Sequence, residues 1–293
     1  MLSDRGQLMN YLVQRLPAGL YFVATPIGSA RDITLRALDI LASADVLVAE
    51  DTRTLRHLMQ IHGVPLGTRQ VLAYHDHNGA NMRPKLLRLL AEGKALAYAS
   101  EAGTPLVADP GFQLCRAAIE AGVNVTSAPG PSAVIAALTV AGLPTDRFLF
   151  AGFAPAAKGA RASWLKDLSE LSATLVIYES AKRVQRILTE MMDSFSEDRQ
   201  VAICRELTKR FEDVLRGSLA ELAEQVDQRA LKGEIVVIID RDRREKDATS
   251  MEDALSVAME NMSIKDAAST VAEALDLPRR QVYQAALAIA KSR

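Results

Sequence analysis

The residues able to do chemistry cluster in short stretches that each follow an apolar run. Glu50-Asp51-Thr52-Arg53 sets two adjacent carboxylates beside Arg53, with Arg56 just beyond. Asp51 can cap a following helix and favour its dipole, but capping leaves Glu50 and Arg53 unexplained. Ser100-Glu101-Ala102-Gly103-Thr104-Pro105, continuing to Asp109-Pro110-Gly111, combines small residues with prolines. Such a loop lets a ligand approach the backbone, and Gly103 tolerates positive φ. Ala128-Pro129-Gly130-Pro131-Ser132-Ala133 puts Pro131 in the expected first turn of a helix. Its free N–H groups can hold an anionic or polar group, such as a small carboxylate. Thr25-Pro26-Ile27-Gly28 is not a G-x-G-x-x-G fingerprint, so a Rossmann dinucleotide site has little support.

Two further segments, Tyr178-Glu179-Ser180-Ala181-Lys182-Arg183 and Arg205-Glu206-Leu207-Thr208-Lys209-Arg210, again place acid beside base at expected strand ends. Solvated surface explains either alone; their recurrence points to a polar cleft. His75 and His77 flank Asp76 and invite a metal reading. No third and fourth ligand follows at suitable spacing, so no metal site is expected. A plain polar loop, an RNA contact and proton handling all remain open for this stretch.

The elements that must position these loops alternate. Strands are expected at Gly19–Thr25, Val46–Ala49, Val71–Tyr74, Ala95–Ala99 and Val123–Ser127. Helices are expected between them at Asp32–Ala44, with Asp32 as N-cap, and at Thr52–Ile61, Pro84–Glu92 and Gly111–Ala121. This is the pattern of βαβ units and a largely parallel sheet, whose ligands bind beyond the carboxyl ends of the strands. After Pro144 the strands Arg147–Phe153, Thr174–Tyr178, Val201–Arg205, Glu212–Arg216 and Glu234–Asp240 include a close pair, which suggests a hairpin and a mixed sheet. Helices are expected around Ser163–Leu171 and Ala181–Met192. The organisation expected is an N-terminal tail over 1–18, α/β domains over 19–128 and 129–240, a charged linker over 241–250 and a helical appendage over 251–293. In the appendage, helices at 263–274 and 278–290 would meet at a turn at Asp276-Leu277, in helix-turn-helix fashion.

Composition bounds the rest. The chain has 293 residues, 49% of them hydrophobic, and a net charge of −1. That is enough apolar material for sizeable cores, with no run long enough for a membrane span and no signal peptide. The two cysteines, Cys115 and Cys204, lie far apart, which fits a reducing cytoplasm. The total charge does not announce nucleic acid, so an RNA surface would have to be local.

The segments GLYFVATPIG, DITLRAL, AEDTR, SEAGTPLVADPG, APGPSA, YES and RELTKRFE occur in an order that resembles the tetrapyrrole methylase superfamily, in its branch that methylates a cytidine ribose 2′-hydroxyl of bacterial 16S rRNA. The resemblance spans roughly Gly19 to Asp240, and the helical tail is similar to that branch's appendage. It implies two α/β domains with S-adenosylmethionine in the cleft between them, a homodimer, and the small ribosomal subunit as partner. It places Pro26, Ser100, Glu101, Ala102, Gly103, Thr104, Val107, Ser132, Ala133, Tyr178, Leu207 and Glu234 around the cofactor. It places Glu50, Asp51, Arg53, His75, Glu179, Lys182, Glu206 and Lys209 toward the RNA. The chain departs from the pattern at Glu101, where Asp is common, and at Ser29, where Asn is common. Methyl transfer needs in-line positioning and help in deprotonating the hydroxyl. Glu50 or Glu206 could accept that proton, and Lys209 or Arg53 could stabilise the oxyanion. Two rivals are a corrinoid-precursor methylase of the same fold and a helix-turn-helix regulator sensing a small molecule. The tail, with five basic residues against six acidic over 251–293, suits a stand-alone DNA reader poorly.

Overall fold

The segments Gly19–Val23 (β1), Val46–Ala49 (β2) and Ala95–Ala99 (β4) are apolar at every position and buried along their whole length. A sheet covered on both faces asks this of its strands, and parallel sheets are covered in this way. In the computed structural model, which describes residues 10–229, 231–241, 248–275 and 277–292, they join Gln70–Ala73 (β3) and Val125–Ala128 (β5) in a wholly parallel sheet of order β3-β2-β4-β1-β5. Alternate residues of each strand go to opposite faces. Val23, Leu47 and Ala97 pack under Leu35–Ser43 (α1) and Thr52–Ile61 (α2). Leu20, Val48 and Tyr98 pack under Gly79–Ala91 (α3) and Phe112–Glu120 (α4).

Two local expectations change. Asp32 does not cap α1; it ends a short 3-10 turn, Ala30–Asp32. The cap is Thr34, whose hydroxyl accepts from the Ala37 amide at 3.1 Å. Helix α3 begins at Gly79, ahead of Pro84, which lies within it and forgoes one bond to the preceding turn.

The second sheet holds Phe148–Phe153 (β6), Thr174–Ser180 (β7), Gln200–Arg205 (β8), Asp213–Ser218 (β9) and Glu234–Ile239 (β10), in the order β6-β7-β10-β8-β9. Only β6 and β7 run parallel; β8 and β9 form the expected hairpin. One face lies under Lys158–Ser169 (α6), Val184–Met191 (α7) and Leu219–Gln228 (α8). The other packs Val176, Cys204, Val236 and Ile238 against Ala133–Ala141 (α5). So α5, which leaves the first sheet, covers the second, and its N-terminus stands where the two meet. Helix α8 lies outside the elements expected from the sequence, although Ser218 and Glu221 form a reciprocal capping box there. Arg161 is buried and joins α6 to α7 through Glu190, while its guanidinium also donates to the Pro155 and Ala156 carbonyls.

Both sheets belong to one compact unit that ends at Arg241. The residues beyond form a second unit with helices Ala248–Ala258 (α9), Ile264–Ala274 (α10) and Arg279–Ser292 (α11) around Leu255, Val271, Val282 and Ala286. Helix α9 lies largely in the stretch expected to be helical, though its bounds are not among the two helices placed there, and its start falls inside the expected linker. The rest of that linker, 242–247, and Asp276 of the expected turn lie outside the described residues.

Candidate active site

A cavity of about 350 Å³ opens where the carboxyl ends of β1, β4 and β5 meet α5 and the second sheet. Three loops of the first sheet wall it. Ile27 comes from the loop after β1. Ala102, Gly103, Thr104, Val107 and Ala108 come from the loop after β4, and Ser132 and Ala133 from the start of α5. The loops are tied to one another. Thr25 and Gly103 exchange two backbone bonds of 3.0 Å. The Ser100 hydroxyl donates to the Gly103 carbonyl, and the Thr104 hydroxyl donates to the Pro131 carbonyl at 2.9 Å. Gly103 sits at φ +77, where a Cβ would come within 3.2 Å of Ile27.

The same loop carries Leu106 and Ala108 at φ 71 and 55, a left-handed backbone that L-residues seldom adopt. Asp109 holds it there. One carboxylate oxygen accepts from the Tyr98 hydroxyl at 2.9 Å, the Gly111 amide at 2.9 Å and the Leu106 amide at 3.3 Å. Burial, reinforced by Asp109, pushes the Tyr98 phenol well above its ordinary range, so it stays a donor. The loop is rigid by construction and aims its small residues at the cavity.

The second sheet supplies the opposite wall, which includes Phe153, Tyr178, Cys204, Leu207, Glu234 and Val236. Register explains part of it, because Val236 stands opposite both Tyr178 and Cys204. Tyr178 is held edge-on by Phe150 and Phe153, and burial raises its phenol. Burial likewise pushes the Cys204 thiol up to about 11, so it is neutral at the cavity wall. At the rim, Lys209 pairs with Glu206 at 3.0 Å and Glu234 at 2.7 Å. The Glu206 carboxylate also accepts from the Glu234 amide at 2.9 Å; that bond, then Lys209, holds its pKa down. Burial works against the Lys209 ammonium, but Glu234 and Glu206 outweigh it and raise its pKa.

The residues assigned toward RNA separate into groups. Glu50, at the end of β2, shares the carboxyl end of the first sheet with His75, Asp76, Glu101 and Asp109. Burial first, then Glu101, Asp109 and Asp76, raise its pKa, against the opposing effect of His75. Asp51 caps α2 and grips Arg53 at 2.8 Å; hydrogen bonds from Arg53 hold its carboxyl at about 2. Both therefore complete each other, and Arg53 is 89% exposed. Glu179 borders the cavity, but its carboxylate is engaged elsewhere. It alternates away from Tyr178, is buried, and pairs with Arg183 at 3.1 Å at the head of α7. Lys182 is exposed, and His75 stacks edge-on with His77. No group of His, Cys, Asp and Glu among the described residues could hold a metal.

Of the residues assigned to the cofactor, Pro26, Ser100 and Glu101 stand outside the lining; Ile27, one position on, takes Pro26's place, and Ser100 fastens the loop from behind. The lining residues that were not expected include Ile27, Ala108, Phe153, Cys204 and Val236. They carry no chemical signal in the sequence, though period-two alternation from Tyr178 and the register could have marked Cys204 and Val236.

This cavity suits a nucleoside that carries an amino acid. It has aromatic and aliphatic walls for a base, a backbone approach at Gly103, and a helix start at Ser132 whose side chain makes no capping bond. A two-sheet α/β body with a cleft at the strand ends and a separate helical unit is the build of a tetrapyrrole methylase with an appended domain. Residues 19–223 match the family described as Tetrapyrrole (Corrin/Porphyrin) Methylases, and residues 245–290 match the RsmI C-terminal HTH domain. The chain belongs to the ribosomal RNA small subunit methyltransferase I family of these methylases. It is 42% identical to the family member of Mesorhizobium japonicum over 92% of its own length and 91% of the relative's. It is 42% identical to that of Xylella fastidiosa strain Temecula1, over 91% and 98%. Among solved structures, uroporphyrin-III C-methyltransferase from Thermus thermophilus, complexed with S-adenosylhomocysteine, shares the fold at a TM-score of 0.53 and 20% identity, over 76% of this chain and 97% of that one.

Proposed function

We propose that this chain transfers a methyl group from S-adenosylmethionine to the ribose 2′-hydroxyl of a cytidine in 16S rRNA. The observation that carries the reading is the likeness to rRNA small subunit methyltransferases across both the two-sheet body and the helical unit, joined to a cavity whose walls suit this cofactor. Bound there, S-adenosylmethionine supplies a methyl group already activated on a sulfonium. The protein's part is alignment and proton removal. Gly103, Thr104 and the start of α5 orient the amino-acid and ribose end. Tyr178, Val107 and Leu207 exclude water around the base. Glu50 accepts the hydroxyl proton: among the described residues its carboxylate has no hydrogen bond or ion pair, and its raised pKa makes it the more basic candidate. Glu206 is tied to Lys209 and the Glu234 amide, and it holds the rim together instead.

The working form is a cytoplasmic homodimer. Edge strand β6 leaves Phe148, Leu149 and Phe153 exposed, the kind of apolar edge a second copy covers. No helix among the described residues is long and apolar enough to cross a membrane. The helical unit contacts the RNA or the subunit; Arg279 and Arg280 are exposed at the start of α11.

The test is transfer of labelled methyl from S-adenosylmethionine to small subunits from cells lacking this protein, with the product nucleoside identified. A 2′-O-methylcytidine product is expected. Absence of label from subunits and free RNA, with cofactor binding intact, would move the substrate to a corrinoid precursor or make the protein a sensor.

A further inference from the structure

We propose that Thr208 is a positioning residue that fixes the width of the cleft by pinning the loop after β1 to the loop after β8. The proposal rests on this cleft being the S-adenosylmethionine site. Thr208 sits at φ 63 and its neighbour Glu206 at φ 50. For a β-branched residue this backbone is an outlier, and it persists only where the surroundings over-determine it. Here they do. The Lys209 amide turns back to the Glu206 carbonyl at 3.0 Å, and the Thr208 amide donates to the Glu212 carboxylate at 2.5 Å.

The strained turn delivers one contact across the cleft. The Thr208 hydroxyl oxygen accepts from the Ser29 amide at 3.1 Å, a bond between the two halves of the body. Beside it, Gly28 lies so close that a Cβ would stand 2.6 Å from the Thr208 hydroxyl and 2.9 Å from the Leu207 carbonyl. Ile27 and Leu207, the immediate neighbours of this contact on either loop, both line the cavity. The spacing between the two walls at this end is therefore set by the Thr208–Ser29 bond. A helix-terminal or surface threonine has no need of such a backbone. One that must reach over a neighbouring loop does.

The experiment measures S-adenosylhomocysteine binding by calorimetry for the wild type, Thr208→Val, Thr208→Ser and Thr208→Gly, with melting temperature and the cofactor KM and kcat alongside. Valine keeps the shape and the backbone strain but removes the acceptor. It is expected to weaken binding about tenfold, because the Ser29 amide is left without its partner. Serine restores the acceptor and is expected to bind within about twofold of wild type. Glycine takes positive φ freely, so its melting temperature holds or rises while its affinity falls as for valine. In both weakened variants the cofactor KM rises and kcat at saturation is nearly unchanged. If the valine variant does not fold, the glycine variant decides alone. Wild-type affinity in the valine or glycine variant overturns the proposal, as does a serine variant as weak as valine. A wild-type chain that does not bind S-adenosylhomocysteine overturns the cofactor reading, and the proposal with it.

Discussion

Glu50→Gln is expected to lower kcat for methyl transfer about a hundredfold, to leave S-adenosylhomocysteine affinity unchanged, and to raise the melting temperature at neutral pH. These three outcomes come from one observation: the folded protein disfavours the charged form of Glu50, through burial first and then Glu101, Asp109 and Asp76. A base works only when deprotonated, so wild-type kcat/KM falls as pH drops through the raised pKa of Glu50. Stability runs the other way. The folded state binds this proton more tightly than the unfolded chain, so the contribution of Glu50 is favourable below its unfolded pKa and is lost as pH rises through its folded one. At neutral pH the charged side chain opposes folding, and glutamine removes that opposition. Glu206→Gln is the contrast. Its pKa is lowered by the Glu234 amide and Lys209, so its contribution is present above the unfolded pKa and lost as pH falls through the folded one. That variant should lose melting temperature with a smaller change in kcat. Near-normal kcat for Glu50→Gln, or a hundredfold loss confined to Glu206→Gln, would remove Glu50 as the proton acceptor.

What the sequence made legible follows what packing leaves unopposed. Short apolar runs such as VLVA and ALAYA, set between helical stretches, read as buried strands, and both fall where expected. Cleft loops rich in Gly, Pro and Ser mark themselves, because no packed core needs them; Gly103, Thr104, Ser132 and Ala133 all reach the cavity. Acid beside base was a poorer guide. Asp51 and Arg53 satisfy each other, and Glu179 turns its carboxylate under α7, since one step along a strand reverses the face. The apolar lining, including Phe153, Cys204 and Val236, was hidden because a cavity wall and a core have the same composition. Pairing register separates them, and register is not written locally. The positive φ at Thr208 could not be read at all, because nothing about a threonine announces it.

Gly28→Ala is expected to weaken S-adenosylhomocysteine binding by an order of magnitude or more, a larger loss than removing the Thr208 hydroxyl. This glycine is not needed for its backbone freedom; it is needed for its missing side chain. A Cβ there would lie 2.5 Å from Lys209 Cγ, 2.6 Å from the Thr208 hydroxyl oxygen and 2.9 Å from the Leu207 carbonyl oxygen. The lysine stem can swing aside. The Leu207 carbonyl cannot, because that turn is fixed by Glu206, Glu212 and Lys209. The methyl group must therefore separate the two loops, moving Ile27 from Leu207 and breaking the Ser29–Thr208 bond with them. Overpacking of this kind costs about 1–3 kcal/mol in stability, so the melting temperature should fall as well. Gly159→Ala is the matched control. Gly159 lies within α6 with open space at its Cβ position, and alanine there favours the helix by about 0.5–1 kcal/mol. It should raise the melting temperature and leave binding untouched. Calorimetry on the two variants separates a cleft whose width is set at Gly28 from one that tolerates the extra methyl. Equal affinity for both would mean that the loops close on the ligand regardless of this contact.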